Sequence, residues 1–63
     1  MESQIDMNAM DVEVRRIKIA AERLGRMGAD FPAIARNTQR ILASVKMLEL
    51  NVSDYVSLEA VEP

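Results

Sequence analysis

The chain has 63 residues, a net charge of −2 and neither cysteine nor histidine. A chain this short makes one small domain with a thin core, and such scaffolds usually lean on disulfides, a metal or a partner chain. The missing residue types exclude thiolate and imidazole chemistry, disulfides and ordinary structural zinc sites, so a partner chain is the expected support.

At the N-terminus, Met1-Glu2-Ser3-Gln4 followed by Asp6 is acidic and has no apolar run of the signal-peptide kind. Ser3-Gln4-Ile5-Asp6 has the spacing of a capping box with Asp in place of Glu, so a first helix is expected from about residue 4 to residue 27, with Asn8 as a later candidate cap. Met7, Met10, Val14, Ile17, Ala21 and Leu24 then recur at steps of three and four, the pattern of one buried helical stripe.

Gly28-Ala29-Asp30-Phe31-Pro32 combines a terminator, a starter and an apolar anchor. A left-handed Gly28 would close the first helix, Asp30 would cap the second, and Pro32 suits a first helical turn. A turn is therefore expected over 28–31, with Phe31 covering the tip of the core.

The second helix is expected over 32–51, where Ile34, Thr38, Ile41, Val45, Leu48 and, just past it, Val52 repeat the same steps. Folding the chain at residue 29 sets Leu24 beside Ile34, Ala21 beside Thr38, Ile17 beside Ile41, Val14 beside Val45, Met10 beside Leu48 and Met7 beside Val52. Two stripes that agree in register about a turn chosen on other grounds predict an all-α fold, an antiparallel helical hairpin. Thr38 is expected to return its hydroxyl to a carbonyl one turn back. Past Val52 the periodicity is lost, and residues 52–63 are read as a tail of open conformation, with Tyr55 against the open end or a partner.

A lone hairpin of this size is expected to be marginal, and a second apolar set lies off the seam. Ile5, Val12 and Ile19 repeat at sevens on the first helix, while Leu42, Met47 and Leu50, with Ala35, widen the apolar surface of the second. An exposed patch of this kind usually marks an interface, so these residues are assigned to a homodimer that forms a four-helix bundle of the coiled-coil type.

Charge is partitioned along the chain. Residues 1–14 and 47–63 hold eight acids and no base, whereas residues 15–46 hold all eight basic residues against Glu22 and Asp30. Asp11 with Arg15, Glu13 with Arg16 and Glu22 with Arg26 have helix-pair spacing. Arg36 and Arg40 are like charges one turn apart near a helix start, where positive charge is disfavoured, so compensation must come from outside that helix. Arg36, Arg40, Arg23 and Arg26 are accordingly assigned to partner binding, first to the acidic tail or N-terminal arm of a dimer mate and next to an acidic surface on another protein.

The acids are spread along helical faces and imply no pocket, so a non-enzymatic protein is expected, with no catalytic, cofactor-binding or metal-binding residues. The expected function is a cytoplasmic protein–protein interaction module, namely an adaptor, regulator or small subunit. The lack of cysteine fits a reducing compartment, and charges interrupt every apolar stretch well before about 18 residues, so no membrane is expected. The alternative is a small DNA-binding regulator that reads through Arg36, Asn37, Gln39 and Arg40; acidic ends and the scarcity of stacking aromatics argue against nucleic acid.

Overall fold

The computed structural model describes residues 6–60, with side chains described for residues 6–55. It contains two α-helices, α1 (Met7–Met27) and α2 (Pro32–Ala60), packed against each other as a helical hairpin. The principal dimensions are 51 × 23 × 15 Å, and the described residues form a slab one helix thick, with no second layer among them over either broad side.

Asp6 starts α1 as its N-cap. Its carboxylate accepts the Ala9 N–H at 3.0 Å, which satisfies one of the free donors of the first turn, and its carbonyl accepts the Met10 N–H at 3.0 Å in the first regular bond of the helix. Asp6 is thus the cap itself and not the third helical residue of a box begun at Ser3, so α1 starts at Met7, three residues later than expected; Ser3 and Gln4 lie outside the described residues. Asn8 sits within the first turn.

The turn differs from expectation at three residues. Gly28 is the C-cap of α1 with φ −99° and ψ 20°, so it is not left-handed. Its role is space: Gly28 is buried, and a β-carbon there would overlap Ile34 Cγ2. Asp30 is not the cap of α2. The Phe31 N–H donates to the Gly28 carbonyl at 2.9 Å, and the Phe31 carbonyl accepts the Ala35 N–H at 2.9 Å, which puts Phe31 in the capping position and Asp30 one residue outside. Phe31 does not cover the core. It is 60% exposed, because Ile34 already closes over Gly28. Pro32 opens α2, where its missing N–H costs no bond.

Helix α2 continues through the weakly periodic stretch to Ala60. Between Pro32 and Pro63 there is neither glycine nor proline, so nothing stops the backbone once the helix has begun. With 29 residues against 21, α2 outruns the start of α1 by about 12 Å at ~1.5 Å per residue.

The core is narrow and made of small side chains. Val14, Ala21, Thr38 and Val45 are buried, between 2% and 8% exposed. Met7, Val14 and Ala21 on α1 with its C-cap Gly28, and Thr38, Val45 and Val52 on α2, recur at sevens and are all buried or half-buried. A second, half-buried row completes the seam: Asp11, Lys18 and Gly25 on α1, and Ala35, Leu42 and Glu49 on α2. Alternating steps of three and four keep both rows turned inward. Where Gly25 faces Thr38, an added β-carbon would stand 3.6 Å from Thr38 Oγ1, so the backbones come close here. The Thr38 hydroxyl donates to the Ile34 carbonyl at 2.7 Å and the Ala35 carbonyl at 3.1 Å, so its burial leaves no polar atom unsatisfied.

A candidate interaction face

Half of the anticipated apolar stripe is not inside the hairpin. Met10, Ile17 and Leu24 on α1, and Ile34, Ile41 and Leu48 on α2, remain between 40% and 47% exposed. Each precedes a seam residue by four positions, which rotates it only about 40° from the seam. The rotation carries both rows onto the same side of the slab. At the open end this is directly visible, where Met7, Met10 and Val14 line one wall of an apolar groove of about 550 Å³ and Leu48, Val52 and Tyr55 line the other. The spacing by sevens continues that face past Ile17 and Ile41 to Leu24 and Ile34, with a drift of only ~20° per repeat.

The residues assigned from sequence to a dimer interface are placed differently. Val12 (44% exposed) and Ile19 (55%) each lie two positions from a buried residue of α1, about 160° around the helix, so they point away from α2. Met47 (58%) and Leu50 (48%) point away from α1 by the same geometry. These four occupy the outer backs of the two helices and do not gather into one face. Leu42 is half-buried in the seam, and Ile5 lies outside the described residues.

The signal that separates the two apolar sets is the distribution of small residues. Ala21, Gly25 and Gly28 of one arm, and Ala35 and Thr38 of the other, mark the line of close approach, and the large residues beside that line are left only partly covered.

The charged surface is only partly paired. Arg15 meets Asp11 at 3.0 Å and Arg16 meets Glu13 at 2.9 Å, both on the exposed surface of α1. Lys18 Nζ reaches Glu49 Oε2 at 3.3 Å and is the one ion pair between the helices among the described residues. The anticipated pair of Glu22 with Arg26 does not form. Arg23, Arg26, Arg36 and Arg40 are exposed and make no ion pair among the described residues. Arg36 and Arg40 share one side of α2, with Asn37 and Gln39 flanking them within an arc of about 160°. All four are exposed.

Among the described residues there is no acidic group arranged to hold a metal, no buried side-chain polar atom lacking a partner, and no helix long and apolar enough to cross a membrane. Chemically, the surface offers one elongated apolar face with a basic closed end and an acidic open end. Comparison with known protein families, with curated proteins and with solved structures finds no match for this chain.

Proposed function

We propose that the chain is a non-enzymatic protein–protein interaction module that works as a homodimer, two hairpins packing into a four-helix bundle of the coiled-coil type and serving as an adaptor, regulator or small subunit. The observation that carries this reading is the face formed by Met10, Ile17, Leu24, Ile34, Ile41 and Leu48, six large apolar side chains in register on one side of a slab one helix thick. A continuous patch of that kind is rare on a chain that stays alone. A second layer of helices would supply the core that the hairpin's small seam residues do not. The unpaired Arg23, Arg26, Arg36 and Arg40 add an attraction for an acidic protein surface.

Sedimentation equilibrium at micromolar concentration tests the reading: a dimer is expected, and a stable monomer over that range rejects it. The second reading, a small DNA-binding regulator, draws on the shared exposure of Arg36, Asn37, Gln39 and Arg40 on one side of α2. A titration with duplex DNA at low salt decides it, since phosphate contacts are strongest there and no affinity under those conditions eliminates it.

A further inference from the structure

We infer that the second copy lies antiparallel on the apolar face, closed end to open end, about a two-fold axis that crosses the face from Ile17 to Ile41. This rests on the dimeric reading above and fixes the orientation that the reading leaves open.

Charge is the first argument. The basic residues lie between positions 15 and 46, the part of the chain that contains the turn, and eight of the ten acids lie in the two flanks that form the open end. A parallel mate would hold like ends one helix layer apart, about 8–10 Å and comparable with the screening length of about 8 Å at physiological salt, whereas an antiparallel mate sets basic ends on acidic ones. Arg23 then comes level with Asp11 of the second copy.

Spacing is the second. Met10 and Leu24 are seven residues either side of Ile17, and Ile34 and Leu48 are seven either side of Ile41. Rotation about the Ile17–Ile41 line therefore puts Met10 over the second copy's Leu24, Ile34 over its Leu48, and Ile17 and Ile41 each over themselves. Every contact is returned by its counterpart, as a two-fold interface requires.

The chain has no cysteine, so single cysteines report cleanly. Ile17→Cys and, separately, Ile41→Cys should each oxidise to a covalent dimer, because each meets its own copy at the axis. Spin labels on Ala29→Cys, an exposed turn position that leaves the face untouched, should sit roughly 35–40 Å apart, about 25 residues of helix at ~1.5 Å each. A dimer with a label separation less than half of that, and with disulfides only when both cysteines are present together, would be parallel; it overturns this inference and leaves the dimeric reading intact. A long label separation without either single-cysteine disulfide overturns the position of the axis. A monomer in sedimentation overturns both readings together.

Discussion

Gly28 and Ile34 touch so closely that no side chain fits between them: a β-carbon on Gly28 would overlap Ile34 Cγ2, 3.1 Å from Ile34 Cβ and 3.3 Å from the Leu24 carbonyl oxygen. Ile34 is branched at Cβ and strongly prefers one χ1 rotamer in a helix, so Cγ2 moves aside only at a cost. Gly28→Ala should therefore destabilise the hairpin by about 1–3 kcal/mol, as overpacking does. Gly25→Ala is the control, since its β-carbon would meet Thr38 at an ordinary 3.6 Å and the helix gains propensity; it should be neutral or stabilise by up to about 1 kcal/mol. Urea or thermal unfolding of the two variants measures the contrast. Gly28→Asn separates the causes: a left-handed glycine would tolerate asparagine, whereas a glycine chosen for space will not.

Thr38 should prove to be a size requirement rather than a polar one. Its hydroxyl bonds only to carbonyls one turn back, a bond that adds little and competes with the helix. Thr38→Val keeps the volume and removes the hydroxyl, and should change stability by less than about 1 kcal/mol. Thr38→Leu thrusts two further carbons toward Gly25 and should cost about 1–3 kcal/mol. Equal losses in both variants would assign the hydroxyl a structural role that this geometry does not give it.

These two positions also show what was legible in the chain. The hairpin and the place of its turn could be read from hydrophobic steps of three and four about Gly28 and Pro32, because those steps follow directly from helix geometry; the pairing across the seam could not, since Thr38 meets Gly25 and Ile34 meets Gly28 where Ala21 and Leu24 were expected. Periodicity alone does not say which of two adjacent rows is buried. Val14 and Ile17 both fit an apolar stripe, yet only Val14 faces the other helix, since Ala21, Gly25, Gly28 and Thr38 draw the backbones together along its line. Local signals at the turn were misleading for a related reason. Gly28 and Asp30 have the residue types of a left-handed stop and a cap, but close packing of Gly28 on Ile34 sets the turn, and Phe31 takes the capping position. The extension of α2 to Ala60 was hidden because its final stretch lacks an apolar rhythm, although nothing in it breaks a helix.

Lys18 and Glu49 place an ion pair across the half-buried row of the seam that also holds Asp11, Gly25, Ala35 and Leu42, with side chains 45% and 38% exposed. At that exposure the attraction is worth little: Glu49→Gln should cost about 0.5 kcal/mol at low ionic strength and nothing measurable near 1 M salt. Replacing both residues by leucine should raise stability by about 1–2 kcal/mol, since two apolar side chains then fill the row shared with Leu42. Urea denaturation of the single and double variants at two salt concentrations reads both effects. A large loss in the double variant would mean that the pair fixes the register of the helices, a role that buried polar residues serve in other helical seams.

The proposed interface can be separated from its rival by two glutamates. Ile41 is 41% exposed on the shared apolar face, and Ile19 is 55% exposed on the outer back of α1. Each can carry a charge without burying it in the hairpin, so helicity by circular dichroism should survive in both variants. Only at Ile41 would packing against a second hairpin desolvate the charge, and the two-fold axis repeats the penalty in each copy. Ile41→Glu should weaken dimerisation by at least about 100-fold, the ~3 kcal/mol expected of a central interface position, and should sediment as a monomer. Ile19→Glu should keep the parent mass. If Ile19→Glu dissociates the dimer and Ile41→Glu does not, the outer backs with Val12, Met47 and Leu50 form the interface, and the apolar face must be covered by some other chain.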